Sequence, residues 1–288
     1  MISETITSAA NPRLKRAARL RDARERRTSG LTVVDGLREL SRAAAAGHEI
    51  TEVFVALPAS DRPDSATLTA EVPEGVAACV AACVARGARV TGVPLRVFEK
   101  LAFGDRNEGA VGVVRFSGRS LAEVAFPANQ PVLVAEAVEK PGNLGAILRS
   151  VDAAGLGGVI VCDPRTDPAN PATIRASLGT VFSVPLAVAS AGDVIDWCRA
   201  SGRRVIVATP EATIEWFAGD LVGATAIVVG SEAQGVSPAW TEAGDAGRIQ
   251  LTAIRLPMRG IADSLNVSVT AAVLAYESVR QQAAKSDR

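Results

Sequence analysis

The chain is poor in the side chains that most often carry hydrolytic and metal chemistry. Its 288 residues include a single histidine, His48. A Ser-His-Asp relay or a multi-histidine metal site would rest on that one residue, which falls in a helix-to-strand connection, so both chemistries are discounted. Cysteine is scarce as well, confined to Cys79, Cys83, Cys162 and Cys198. Cys79 and Cys83 have no companion pair to complete a zinc pattern, and all four read as small buried hydrophobes. No metal is expected. Long hydrophobic runs are missing; the longest, Val76 to Ala85, falls far short of the roughly 20 residues that span a bilayer. No basic-plus-apolar leader opens the sequence, so a cytoplasmic protein without a membrane partner is the expectation. Nucleotide signatures are absent too. Gly155-Leu156-Gly157-Gly158 precedes a strand instead of joining strand to helix, and no Walker-type phosphate loop occurs.

Net charge is zero, with 31 basic and 31 acidic side chains, so nucleic-acid binding would need a local patch and not a global field. Such a patch opens the chain. Residues 1 to 30 hold Arg13, Lys15, Arg16, Arg19, Arg21, Arg24, Arg26 and Arg27 against Glu4, Asp22 and Glu25. Leu14, Ala17, Ala18 and Leu20 interleave, giving a basic helix with a narrow apolar stripe. Arg13, Arg16 and Arg19 are its candidate RNA contacts, and a solvated helix face is the plain alternative. Lysine occurs only at Lys15, Lys100, Lys140 and Lys285; that bias toward arginine, with heavy Ala and Gly use, fits a GC-rich genome.

Hydrophobic content of 48% against 22% charged residues is that of a globular protein with ample core. The first part alternates strand and helix: strands at Leu31–Val34, Glu52–Leu57, Arg89–Val93 and Gly109–Phe116, helices at Gly36–Ala46 and up to Arg86, and a polar loop at Pro58–Ser65. These make an α/β module over 1–117, followed by a Gly/Pro/Asn/Gln-bearing linker over 118–130. From 131 to 288 the rhythm continues, with Val132–Ala137 read as a continuous apolar run buried on both faces. Strands follow at Gly158–Cys162, Val205–Ala208 and Ala226–Val229. Helices are expected at Leu144–Gly155, Thr173–Gly179, Asp193–Ala200 and from about Ser264 to Gln282. The alternation predicts a parallel sheet with helices on both faces, whose ligands bind beyond the carboxyl ends of the strands.

Three polar segments sit where apolar strands run out: Asn143-Leu144-Gly145-Ala146-Ile147-Leu148-Arg149, Gly230-Ser231-Glu232-Ala233-Gln234-Gly235, and Leu256-Pro257-Met258-Arg259-Gly260-Ile261-Ala262-Asp263-Ser264-Leu265-Asn266 ahead of the last helix. A Ser or Asp cap would account for the helix start alone, but not for the glycine loop and the Asn that accompany it. Arg149 is permanently charged and forks onto phosphate oxygens. Asn143, Glu232, Ser264 and Asn266 supply hydrogen bonds at neighbouring loop ends. With no metal cluster and no activated nucleophile, this set suits the positioning of a sugar-phosphate for group transfer from a bound small donor. Taken one by one, the glycines are ordinary turn residues and Arg149 an ordinary surface arginine; their order and spacing together argue for a composite site.

These segments resemble the three signature motifs of the SpoU (TrmH-type) RNA ribose 2′-O-methyltransferases of the SPOUT superfamily. The first is met by Asn143, Gly145, Ala146, Ile147 and Arg149. The second is met by Gly230, Ser231, Glu232, Gln234 and Gly235, with Ala233 where glycine is frequent. The third is met by Pro257, Met258, Gly260, Ser264, Leu265, Asn266, Val267 and Ser268. The resemblance covers roughly residues 120 to 282. It implies a trefoil-knot catalytic domain with a parallel sheet, S-adenosylmethionine as cofactor, and homodimers that pair through the knot. It further implies cofactor contacts at Gly230, Leu256, Met258, Leu265 and Thr209, and Arg149, Asn143, Glu232, Ser264 and Asn266 as the catalytic set. The front part resembles an L30/L7Ae-like RNA-binding domain through Val33-Val34-Asp35-Gly36, although Asp35 and Asn107-Glu108-Gly109 depart from the family pattern. An apolar stripe of Val269, Ala272, Val273, Tyr276 and Val279 on the last helix serves either a dimer interface or the ordinary core.

The substrate implied is structured RNA, with 23S rRNA expected first, tRNA as the alternative, and the layout similar to antibiotic-resistance enzymes for thiostrepton and avilamycin. Methylation of a base nitrogen is disfavoured by Ser264-Leu265-Asn266. A non-catalytic RNA-binding protein would be expected to lose Arg149 or Asn266, and both are present.

Overall fold

The computed structural model describes residues 2–57, 72–102, 107–231 and 233–286. Glu232 and the expected loop at Pro58–Ser65 lie outside the described residues. The chain divides into two compact units, Met1–Ser117 with Ala169–Ser183, and Gly118–Pro168 with Val184–Arg288.

The first unit begins with β1 (Glu4–Thr5), α1 (Pro12–Arg19) and α2 (Ala23–Ser29). The single basic helix expected from the sequence is therefore two. Asn11 caps α1 by accepting from the Arg13 amide, with Pro12 in its first turn. Asp22 then restarts the chain, accepting from the Arg24 amide at 2.7 Å, and left-handed Gly30 ends α2. The sheet follows: β2 (Leu31–Asp35), α3 (Leu37–Ala45), β3 (Ile50–Leu57), α4 (Glu74–Val84), β4 (Arg89–Pro94), α5 (Leu95–Phe98) and β5 (Ala110–Arg115). Its order is β1-β4-β3-β5-β2, with β5 antiparallel to both neighbours. Leu14, Ala17 and Leu20 of the apolar stripe pack with Leu31, Val33, Phe54 and Phe98 in its core.

The second unit holds β6 (Val132–Glu136), α6 (Pro141–Ala154) and β7 (Gly158–Cys162). Next comes α7 (Pro171–Ala176), which the sequence assigns to the second domain. Its segment packs instead into the first unit. Thr32 Oγ1 donates to Ala169 O at 2.6 Å, Arg42 donates to Leu178 O at 2.9 Å, and Phe182 stacks edge-on with His48 and Phe116. The lone histidine is thus held in an aromatic trio.

The chain returns through β8 (Leu186–Ala189), α8 (Ala191–Ala200), β9 (Arg204–Ala208), β10 (Ile214–Glu215), β11 (Thr225–Val229), α9 (Ala239–Asp245), β12 (Leu251–Arg255) and α10 (Val267–Ser286). All seven strands are parallel, in the order β10-β12-β9-β11-β6-β7-β8, as the alternating pattern predicts. The expected linker is bound into this unit: Arg203, nearly buried, donates to Gln130 O and Pro127 O and lies over the Trp197 ring. All four cysteines are free and buried, in line with their reading as small hydrophobes. Among the described residues no helix is long and apolar enough to cross a membrane.

Candidate functional site

Three adjacent parallel strands, β12, β9 and β11, end at one edge of the seven-stranded sheet, and the chain leaves each into a polar loop. Between these loops lies a cavity of about 510 Å3, within the few hundred to one thousand Å3 usual for small-molecule sites. Thr209, Gly230, Leu256, Met258 and Leu265, the five cofactor candidates, all line it, and Ser264 joins them. They are drawn from three separate stretches of sequence.

The glycine at the mouth of β11 is required by contact. A Cβ on Gly230 would stand 2.0 Å from the carbonyl oxygen of Gly235, a backbone atom with nowhere to go. The loop folds back on itself as a tight hairpin in which the Gly235 amide donates to Ser231 O at 2.9 Å and Gly235 takes φ +64°. Its return arm, Gln234 to Val236, forms one wall of the cavity.

Sequence reasoning misses two acidic side chains of this lining, Glu211 and Asp263. Thr209 Oγ1 donates to the Glu211 carboxylate, and that hydroxyl, helped by the residue's own backbone amide, holds Glu211 below the ordinary carboxylate range. A Thr-Pro-Glu step after the strand Val205–Ala208 is the available signal.

The first and third motifs meet beside the cavity. Asn266 Nδ2 donates to Asn143 Oδ1 at 3.2 Å, across 123 positions of sequence. Its Oδ1 accepts from Ser268 N at 2.9 Å and Ser268 Oγ at 2.6 Å, so Asn266 itself caps α10, which starts at Val267 and not near Ser264. Asn143 sits in the first turn of α6, while Leu144, Ile147, Leu148 and Val151 bury the other face of that helix. Arg149 is on its exposed side, without a hydrogen-bond or ion-pair partner among the described residues. Glu232 lies outside the described residues.

A third missed residue is Glu136. The run Val132–Ala137 reads as uniformly apolar by its average although Glu136 interrupts it, and that charge is the signal. Glu136 is 2% exposed and accepts from Ser237 N at 2.9 Å and Trp240 Nε1 at 3.1 Å, both on Oε2. Its carboxylate, Cys162 and Asp163 each offer a ligand atom within 4.8 Å of the others. Burial, reinforced by the neighbouring carboxylates of Glu136 and Asp163, pushes the Cys162 thiol far above its usual range.

The RNA candidates separate. Arg13 is tied inward to Glu52, Glu4 and Thr91, the last at 2.7 Å. Arg16 and Arg19 are exposed. Arg26 is buried and donates to Leu20 O and Arg21 O.

Comparison with known proteins agrees with this anatomy. The SpoU rRNA Methylase family pattern matches residues 130–276, and that of the MRM3-like substrate binding domain matches residues 11–112. A 23S rRNA (uridine(2479)-2'-O)-methyltransferase from Streptomyces viridochromogenes is 33% identical over 191 residues, 63% of this chain and 64% of that protein. A 23S rRNA (guanosine-2'-O-)-methyltransferase RlmB from Pseudomonas syringae pv. tomato is 36% identical over 155 residues, 54% of this chain and 60% of its own length. The match thus spans less than two thirds of either relative. Among solved structures, an RNA 2'-O ribose methyltransferase shares 36% identity with a TM-score of 0.78, covering 97% of this chain and 99% of its own. The AdoMet-bound rRNA methyltransferase from Sinorhizobium meliloti shares 26% identity with a TM-score of 0.81, covering 96% and 97%. With more than half its length matched by one family pattern, and the three motifs of that family gathered at one sheet edge, the chain belongs to the SpoU rRNA Methylase family.

Proposed function

We propose that this protein transfers a methyl group from S-adenosylmethionine to a ribose 2′-hydroxyl of RNA, with 23S rRNA as the substrate, in the cytoplasm. The observation that carries the reading is the meeting of five cofactor candidates around one cavity, with the Asn143–Asn266 pair and Arg149, unpartnered among the described residues, from the neighbouring motifs. Apolar Leu256 and Leu265, tightly turned backbone at Gly230 and the polar Thr209–Glu211 pair suit a nucleoside with a charged tail. When bound, S-adenosylmethionine supplies an electrophilic methyl group. The rest of the chemistry is the protein's. A guanidinium offers only donors and no acceptor, which makes it a poor base, so Arg149 clamps the phosphate beside the target ribose and neutralises charge growing on its oxygen as the hydroxyl proton leaves to water. Asn143, held by Asn266, orients the hydroxyl, and Ser264 and Glu232 fix the loops.

The α10 surface supports a homodimer, formed through a trefoil knot in the second unit. Its core face is Ala271, Leu274, Ala275 and Ser278, whereas of the stripe named from sequence Val269 46%, Tyr276 54% and Val279 36% are exposed and Ala272 and Val273 are half-buried. The front unit and exposed Arg16 and Arg19 serve RNA binding. The two relatives act on 23S rRNA by name, which favours that RNA over tRNA.

The test is transfer from radiolabelled S-adenosylmethionine to purified 23S and 16S rRNA and tRNA, followed by nuclease digestion to locate the label. Label on a 23S ribose is the expected result; label on a base, or none on any RNA, overturns the reading. Arg149→Ala should abolish transfer with donor binding intact. A role in resistance belongs to the same proposal: drug tolerance should rise in a sensitive host expressing the active chain and not in one expressing R149A.

A further inference from the structure

We propose that Glu136 is a positioning residue for the cofactor loop, acting from outside the cavity on the hairpin that walls it. The inference rests on the cavity's being the S-adenosylmethionine site. β6 pairs with β11 in a register that sets Ala135 against Val229, so the next residue, Glu136, stands level with Gly230, where the hairpin leaves the strand. The hairpin's entry is fixed by β11 itself. Its exit is fixed by Glu136: the amide of Ser237, the residue after the wall segment Gln234–Val236, donates to Oε2. The fully buried Trp240 of α9 donates to the same oxygen, which ties the helix following the hairpin to the strand β6 beside it.

A carboxylate in this place is costly. β6 is otherwise Val, Leu, Val and Ala, all buried, and an apolar residue would spare the desolvation of a charge. Glu136 Oε1 has no hydrogen-bond partner among the described residues. The stabilisation it offers is therefore concentrated in the two bonds through Oε2, and both go to the segment that closes the cavity. Charge-assisted acceptors hold backbone donors more firmly than neutral ones. A wall anchored at both ends presents Gln234, Gly235 and Val236 to the ligand in one arrangement; one anchored at its entry alone must be ordered on each binding event.

The experiment compares Glu136→Met, which keeps the shape and removes the acceptor, with Glu136→Gln, which keeps an acceptor oxygen. S-adenosylmethionine affinity is read by calorimetry on the full chain, and KM and kcat in the RNA methylation assay. E136M should weaken donor binding about tenfold or more, in line with the loss of two hydrogen bonds to a charged group, and raise the donor KM alike, with kcat at saturating donor within about threefold of wild type. E136Q, which keeps the acceptor and loses the charge, should restore part of that affinity, falling between E136M and wild type. Trp240→Phe, which removes one donor and keeps the ring buried, should weaken binding by a smaller factor and guards against poor folding of E136M. Wild-type affinity in E136M, a fall in kcat with unchanged KM, or an E136Q as weak as E136M would each overturn the proposal. A wild-type chain that binds no S-adenosylmethionine would overturn the functional reading itself and the inference with it.

Discussion

Asn266 offers a perturbation in which stability and chemistry part company. Its Oδ1 caps α10 through Ser268, and its Nδ2 holds Asn143 in the first motif. Serine caps a helix about as well as asparagine, whereas alanine loses roughly 1 kcal/mol at such a position. Neither replacement can donate to Asn143 as the longer amide does. Asn266→Ser should therefore melt within a degree or two of wild type, and Asn266→Ala about 2–4 °C lower, the shift expected of about 1 kcal/mol in a domain of this size. Both should lose turnover equally. With the Asn266 tether to Asn143 gone, the hydroxyl that Asn143 is proposed to orient is misplaced by something like 1 Å, a displacement that costs up to about a hundredfold in rate. We expect kcat to fall about 10- to 100-fold, or about 1.4–2.8 kcal/mol in the barrier. Calorimetric melting and single-turnover methyl transfer at saturating donor read the two effects independently. An N266S enzyme with wild-type turnover would refute the reasoning, because it would show that Asn143 does not depend on the Asn266 amide. Turnover that falls only in N266A, in step with its melting point, would reduce Asn266 to a helix cap.

Further outcomes are expected at the surface. Neutralising Arg16 and Arg19 together should weaken RNA affinity and flatten the slope of log affinity against log salt by about 1.5–2, as expected for two lost phosphate contacts; an unchanged slope returns α1 to a solvated face. Arg13→Gln, by contrast, should cost stability of about 1 kcal/mol through the lost ion pairs to Glu52 and Glu4, Glu52 keeping only the Thr91 hydroxyl, and leave that slope alone, since its guanidinium faces inward. Replacing Tyr276 and Val279 by lysine should convert a dimer to a monomer by light scattering, and a wild type already monomeric would remove the α10 face from consideration.

How much of this was legible before folding depended on how local each signal is. The three motif segments could be read because each sits at the end of an apolar strand, and a parallel sheet delivers strand ends to one edge. Motif order hints that Asn143 and Asn266 share a site, but their hydrogen bond spans 123 positions and only the folded sheet brings them together. Glu136 escapes because a period argument averages over one charge in a buried run, and only the fold reveals Ser237 and Trp240 waiting for it. Arg13 and Arg16 look alike in a basic stretch; Glu52, supplied by a strand 39 residues away, is what turns one of them inward. Asp22 looks like a stray acid within a basic helix, when it is the cap at which one helix has ended and the next begins.

The last helix is harder still, for a physical reason. α10 carries apolar residues around most of its circumference, so periodicity cannot choose which stripe is core. Contact with α6 makes the choice, burying Ala271, Leu274 and Ala275 and leaving Val269, Tyr276 and Val279 in water. A helix that keeps a second apolar stripe after its own core is satisfied has more hydrophobic surface than the folded chain can use. An exposed tyrosine between two exposed valines on one stripe is the composition that the proposed interface requires. The cavity beyond the strand ends opens beside the start of the same helix, at Val267 and Thr270. In the proposed dimer, pairing along α10 and closure of the site share one rigid element, and loss of the dimer should weaken donor binding as well as change the mass.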